Sequence, residues 1–160
     1  PPGPDPTPRD GASPCREKDA HRLTEISQRA FHSDISCGAP SAIGGPPGYD
    51  SPEWQKQVIK SATYYKIVWQ ADGSIIGGII VFDKGGGHHY LARIFLDPVY
   101  HRWGLGLASV RLLFARYPNA TKWTLDTPSW NTRTRPFYEK LDFEIVEESD
   151  GFLFFEKTLN

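Results

Sequence analysis

The sequence predicts an α/β fold of the α+β type, with a mixed, mostly antiparallel central sheet of about six or seven strands and about four flanking helices. Three observations support this class. Three β-rich segments follow one another at short glycine-containing turns, which indicates an antiparallel meander. A glycine-opened helix then leads to a further strand, which the crossover makes parallel to the strand before the helix. The chain closes on a hairpin around Asp150-Gly151.

The composition is that of one globular domain, since 39% of the 160 residues are hydrophobic and 23% are charged. The net charge of −1 provides no basic field for nucleic acid. No apolar run approaches the roughly 20 residues of a membrane span. Two cysteines are too few for a disulfide framework or a zinc site. We therefore expect a cytoplasmic monomer or homodimer with no metal, nucleic-acid or membrane partner.

The N-terminal residues 1–14 contain six prolines and two glycines, which is typical of a disordered tail. Residues 15–160 are predicted to form a single domain. Its first helix is expected over 19–35, where apolar residues recur at spacings of three and four. A long loop rich in Gly and Pro follows over 36–51, and such loops are often functional.

A second helix is predicted to begin after Ser51, because serine is a good N-cap and Pro52 suits the first helical position. The meander then uses glycine turns at Asp72-Gly73 and at 84–87. Its three strands are predicted over 63–70, 75–82 and 90–96.

The most informative stretch is Tyr90 to Tyr117, in which a short apolar strand, a loop, a glycine turn and an apolar-periodic helix follow one another. Glycine lets another group approach the backbone closely, and the first amides of a helix have no partner within it. Amides near Gly104 would therefore form a cradle for an anion, with a phosphate as the expected occupant. Arg102 and a charged His101 would add to the attraction.

Two other phosphate-binding patterns fit this turn less well. A P-loop is excluded, because its last glycine must be followed by Lys-Ser/Thr. A dinucleotide fingerprint matches at Gly104, Gly106 and Asp126, but Ser109 replaces its third glycine and residues 97–103 separate the turn from the strand. A nicotinamide-binding domain is thus a distant alternative.

A third pattern fits better, since the stretch resembles motif A of the GNAT superfamily of acyl-CoA-dependent N-acetyltransferases. That motif runs apolar-x-apolar-x-Pro and, a few residues later, Arg/Gln-x-x-Gly-x-Gly/Ala. The corresponding residues here are Ile94-Phe95-Leu96-Asp97-Pro98 and His101-Arg102-Trp103-Gly104-Leu105-Gly106. Histidine takes the place of Arg or Gln at the first basic position.

A second motif of the same superfamily is similar to residues 127–143, TPSWNTRTRPFYEKLDF. Asn131, the run Phe137-Tyr138-Glu139-Lys140-Leu141, and Phe143 match it. Asp142 stands where the superfamily usually has the glycine that ends the helix.

The resemblance covers about residues 19–158 and implies a GNAT fold, N-acetyltransferase activity over 15–160 and acetyl-CoA as cosubstrate. It also implies that residues 1–14 correspond to a degenerate first strand. The parallel strands 90–96 and 122–127 would splay apart and hold the pantetheine arm in the gap, where its amides would pair with the free strand edge. The implied acetyl-CoA-binding residues are Ile94, Phe95, Leu96, His101, Arg102, Trp103, Gly104, Leu105, Gly106, Leu107 and Asn131.

Tyr138 is the implied general acid, because a phenol with a reference pKa of about 10 still carries its proton at neutral pH. The superfamily often takes its general base from the start of the strand before the glycine turn, which makes His89 a candidate, with His88 beside it. Unranked carboxylate alternatives are Asp83, Asp126 and Glu53, and a water chain to solvent is another.

The acceptor is expected to be an amine on a small molecule or a peptide. The aromatic share of 13% permits an apolar or cation-binding pocket involving Tyr49, Trp54 or Trp130. Because no base is obvious, a second function stays open, namely a non-catalytic acyl-CoA-binding or interaction module on the same fold.

Overall fold

The computed structural model describes residues 15–41, 44–69 and 72–159, without the side chains of Arg102 and Trp103. The predicted tail or degenerate first strand at 1–14 lies outside the described residues.

Four helices and six strands form the described part of the domain. The helices are α1 (Ala20–His32), α2 (Pro52–Ser61), α3 (Leu105–Ala115) and α4 (Thr134–Glu139). The strands are β1 (Thr63–Trp69), β2 (Ser74–Gly85), β3 (His88–Leu96), β4 (Lys122–Pro128), β5 (Glu144–Ser149) and β6 (Phe152–Thr158).

These strands form one sheet in the order β1-β2-β3-β4-β6-β5. Every neighbouring pair is antiparallel except β3 and β4, which the crossover through α3 makes parallel. The prediction of a mixed, mostly antiparallel sheet with this parallel pair and about four helices is confirmed.

The parallel pair separates after a short ladder. β3 and β4 are paired only at His88–Lys122, His89–Trp123 and Tyr90–Thr124. Beyond Tyr90, β3 stays paired with β2 across a bulge that leaves Ala92 without an opposite residue, while β4 stays paired with β6. The facing edges of the two strands therefore open into a V.

The sheet is buried on both faces. One face packs against α3 and α4 around Trp123, which is fully buried, and the other packs against α1 and α2. α2 begins as predicted, since the Oγ of Ser51 accepts a hydrogen bond of 3.1 Å from the Trp54 amide and Pro52 is the first helical residue. No helix in the described ranges is long and apolar enough to cross a membrane.

The end of α4 adopts the conformation that favours glycine. Asp142 has a φ of 68°, and the Phe143 amide donates to the Tyr138 carbonyl over 3.1 Å. Aspartate tolerates this left-handed region better than most residues do. The helix that carries Tyr138 therefore ends regularly although the usual glycine is missing.

Candidate active site

Two adjacent cavities lie at the open V, with volumes of about 560 Å³ and 640 Å³. The first extends towards the start of α3 and along α4, and the second extends towards the loop at 39–47 and the ends of β4 and β6. Residues that line both cavities mark the place where they meet. They are Phe31, Asp34, Ile94, Asn131, Thr134 and Tyr138.

The first cavity contains most of the residues predicted to bind acetyl-CoA. Leu105 is an exception, because its side chain is buried in the core and does not line the cavity. The side chains of Arg102 and Trp103 fall outside the described part. The predicted residues that line the cavity are Ile94, Phe95, Leu96, His101, Gly104, Gly106, Leu107 and Asn131.

The glycine turn opens α3 towards this cavity. Gly104 has a φ of 70°, a conformation that favours glycine, and it links the 3-10 helix Pro98–Trp103 to α3. The Ala108 amide donates to the Gly104 carbonyl at 3.1 Å, so the amides of residues 105–107 precede the first bond of the helix. A Cβ at Gly106 would lie 3.0 Å from Cε1 of Phe137, so this ring packs directly over the turn.

His101 is held as a neutral ring, which the sequence did not predict. Its Nε2 donates to the Leu96 carbonyl at 2.7 Å, and its Nδ1 accepts from Nη1 of Arg133 at 2.8 Å. A protonated ring could not accept that bond. Burial, with a further effect from the Arg133 guanidinium, lowers the pKa of His101. The prediction that a charged His101 attracts the phosphate is therefore wrong.

This neutral ring leads to a prediction about stability. A lowered pKa means that the folded chain binds fewer protons than the unfolded chain in the window just below 6.5. The free energy of unfolding then rises with pH across that window and decreases as the pH falls through it. Glutamine offers an amide donor and a carbonyl acceptor in place of the two ring nitrogens, and it does not titrate. We expect His101→Gln to lose less stability between about pH 7 and pH 5.5 in urea unfolding.

The pKa of His88 is also lowered, by burial and by Lys122, and contributes a pH dependence of the same sign, whereas the pKa of Asp34, raised by burial, contributes one of the opposite sign. A pH dependence equal to that of the unmodified chain would contradict the assignment of a neutral His101.

The Arg133 side chain is a site residue that the sequence analysis missed. Its Nη2 donates to Oδ1 of Asp34 at 2.6 Å, and its Nη1 reaches His101. Asp34 is 99 positions away in the chain, and no sequence motif links the two residues. The Arg133 amide donates to Oδ1 of Asn131 at 3.0 Å, and this bond holds the turn that leads into α4.

Tyr138 lies at the meeting point of the cavities. Its ring is 7% exposed and packs edge-on against Phe137 and Phe143, with centroid distances of 4.9 Å and 5.7 Å. Burial raises the pKa of Tyr138, and the nearby Tyr90 raises it further. Tyr138 therefore carries its proton at neutral pH, and the residue lines both cavities.

Neither histidine at the start of β3 reaches the cleft. His89 packs into the core with centroid distances of 4.6 Å to Tyr117 and 5.1 Å to Trp123, and it lines neither cavity. His88 is bonded to Thr124 and lines neither cavity. We therefore do not retain His89 as the base.

Of the three carboxylates considered as alternative bases, two lie on the surface and one lines a cavity. Asp83 is exposed and accepts from the Gly85 amide of its own turn, and Glu53 is exposed on α2. Asp126 alone of these three lines a cavity, the second one.

Of the three residues predicted to form an acceptor pocket, one lines the second cavity and two do not. Trp130 lines the second cavity and is 37% exposed. Tyr49 and Trp54 do not line it, but they support residues that do. The Tyr49 ring packs edge-on against Phe31, and the Trp54 ring lies 4.2 Å from the Arg93 guanidinium carbon.

The described ranges contain no cluster of three or more His, Cys, Asp or Glu side chains that could bind a metal ion.

Comparison with known proteins agrees with this architecture. The profile described as acetyltransferase (GNAT) family matches residues 21–143. The uncharacterised protein YrkN of Bacillus subtilis is 28% identical over 135 residues, which cover 83% of this chain and 72% of YrkN.

Two solved structures share the fold. PaiA N-acetyltransferase from Thermoplasma acidophilum, in complex with coenzyme A, superposes with a TM-score of 0.77 at 17% identity, over 91% of this chain and 96% of that one. The ribosomal-protein-S5-alanine acetyltransferase of Vibrio fischeri superposes with a TM-score of 0.67 at 16% identity, over 90% of each chain. With the profile match over most of its length, the chain belongs to the acetyltransferase (GNAT) family.

Proposed function

We propose that this protein is an N-acetyltransferase that moves an acetyl group from acetyl-CoA to a primary amine by direct attack of the amine. One observation carries the proposal. Tyr138 lines both of two adjacent cavities, one lined by a glycine turn at a helix start and the other lined by polar and aromatic side chains.

The first cavity fits the donor. The amides at the start of α3, beside Gly104 and Gly106, would hold the pyrophosphate, since they lack partners within the helix and lie at its positive end. The edge of β3 over 94–96 does not pair with β4, so its backbone groups, apart from the Leu96 carbonyl that accepts from His101, would bond the pantetheine amides as an added strand does. Coenzyme A in the Thermoplasma acidophilum structure supports this choice of donor.

Acetyl-CoA, when bound, supplies the acetyl group as a thioester. A backbone amide of the 94–96 edge holds the carbonyl oxygen as negative charge develops on it. Tyr138 gives its phenolic proton to the sulfur as the carbon–sulfur bond breaks and the carbon–nitrogen bond forms. The amine releases one proton before attack and a second as the amide forms. One of these reprotonates Tyr138, and the other leaves to solvent.

The test is release of free thiol from acetyl-CoA across a panel of small-molecule and peptide amines, with mass spectrometry to identify the acetylated product. We expect release that depends on both the amine and the enzyme. If a CoA species copurifies with the chain and no amine increases thiol release, the non-catalytic acyl-CoA-binding module is the correct function instead.

A further inference from the structure

A carboxylate stands where β3 and β4 separate. Tyr90 is the last residue of β3 that pairs with β4, and Asp126 lies two residues beyond the last paired residue of β4. The Tyr90 hydroxyl donates to Oδ1 of Asp126 at 2.5 Å, so the two side chains bridge the base of the V. Both line the second cavity.

Asp126 forms no ion pair with the described charged side chains that line this cavity. Among the described lining residues, the other charged side chains are Asp34 and Arg93. Asp34 is paired with Arg133 at 2.6 Å. The Arg93 guanidinium donates to the Pro47 carbonyl through Nη2 and stacks on Trp54, and its Nη1 is buried without a hydrogen-bond partner in the described part of the chain. No Lys, Arg or His of the described chain pairs with Asp126, whose one hydrogen bond here comes from a neutral phenol.

The remaining walls are largely apolar. Phe31 and Ala92 lie on the α1 and β3 side, and the partly exposed rings of Trp130 and Phe152 lie on the β4 and β6 side. Aromatic faces accept cations and apolar groups alike. A carboxylate without an ion-pair partner, in a cavity lined by aromatic rings, suits a ligand that combines an ammonium group with an apolar body.

We propose that Asp126 binds the ammonium group of the acceptor, and that the acceptor is a cationic primary amine with an apolar or aromatic body and no carboxylate beside the amine. This inference rests on the proposed function. Tyr90 is a positioning residue that orients the Asp126 carboxylate, which leaves Oδ2 for the ligand. Tyr138 lines the same cavity, so an amine bound at Asp126 would share this cavity with the proposed acid.

The test compares related amines on the unmodified enzyme. At pH 7.5, 2-phenylethylamine and tryptamine are cations, phenylalanine adds a carboxylate, and 4-methylaniline is neutral. We expect kcat/KM for the two cations to exceed that for the other two amines by about tenfold or more, because a hydrogen bond to a charged group contributes on this scale. Acetylation that favours phenylalanine or 4-methylaniline overturns the inference.

Asp126→Asn tests the residue itself, since the amide keeps the shape and the bond from Tyr90 but not the charge. We expect KM for the cations to rise about 10- to 100-fold, with a smaller change in kcat and an unchanged Kd for acetyl-CoA. Tyr90→Phe is expected to raise the same KM about threefold to tenfold, again without a change in acetyl-CoA binding. Glu144→Gln, which removes an exposed charge from β5, serves as the control and should change neither constant.

Calorimetric titration of 2-phenylethylamine and tryptamine in the presence of CoA separates the two proposals. Binding that Asp126→Asn weakens, without turnover in the unmodified enzyme, supports the ammonium site and rejects the acetyltransferase. Turnover that Asp126→Asn leaves unchanged supports the acetyltransferase and overturns the ammonium site. Absence of both binding and turnover with the two cations also overturns the ammonium site.

Discussion

Replacing Tyr138 by phenylalanine is expected to lower kcat by about 10²- to 10⁴-fold, the usual contribution of a positioned acid. The ring is buried between Phe137 and Phe143, so phenylalanine keeps the packing and removes only the hydroxyl. The pKa of Tyr138 is raised chiefly by burial, so the group carries its proton at neutral pH, as an acid must. Steady-state thiol release with the best amine of the panel measures the effect.

Two comparisons separate a lost acid from a disturbed fold. Acetyl-CoA binding by Tyr138→Phe should stay within about threefold of the unmodified enzyme, because the hydroxyl contributes mainly in the transition state. Tyr117→Phe is the matched control, since its hydroxyl bonds to Tyr65 at 2.9 Å and its ring lines neither cavity. Equal turnover in Tyr138→Phe and Tyr117→Phe would remove Tyr138 from the mechanism.

Replacing Gly106 by glutamate is expected to weaken acetyl-CoA binding on the order of 100-fold. A new carboxylate about 5 Å from a diphosphate costs roughly 3 kcal/mol at an effective dielectric constant of about 20. The side chain would also displace Phe137, whose Cε1 lies 3.0 Å from the position of a Cβ at Gly106. Calorimetric titration with CoA gives the Kd, and higher salt should recover part of the loss.

Two further variants distinguish the effect of the added charge on CoA binding from the effect of the added side-chain volume. Gly106→Ala adds the Cβ without the charge and should weaken binding by less than about tenfold, since the Phe137 ring needs to shift by only a few tenths of an ångström. Ala115→Glu adds the same charge at the exposed far end of α3 and should leave the Kd unchanged. If Gly106→Glu binds CoA as well as Ala115→Glu does, the cradle at α3 does not hold the pyrophosphate.

Much of the first cavity, proposed to bind acetyl-CoA, was predictable because its signals are local. Gly104 must adopt a positive φ, and the helix that follows leaves its first amides without partners wherever the chain places it. The order of strand, crossover helix and strand also requires β3 and β4 to be parallel. Backbone chemistry of this kind depends on neighbours a few positions apart.

The positions of His89 and Tyr90 show what local sequence signals do not predict. Alternation along β3 places the two side chains on opposite faces of the sheet, but it does not say which face meets the cleft. The packing of Trp123 and Tyr117 buries His89, and the separation of β3 from β4 leaves Tyr90 at the open edge. The charge of His101 was also unpredictable from local signals, since it depends on Arg133, which is 32 positions away.

The sequence alone predicted the succession of strands along the chain and the glycine-opened helix, because spacing and turn chemistry act within a few residues. Only the tertiary structure decided which side chains line the second cavity. Tyr90 and Asp126 are 36 positions apart and meet where two parallel strands part. Contacts between distant segments depend on how sheet and helices pack, and no periodic pattern within either segment encodes the identity of its partner.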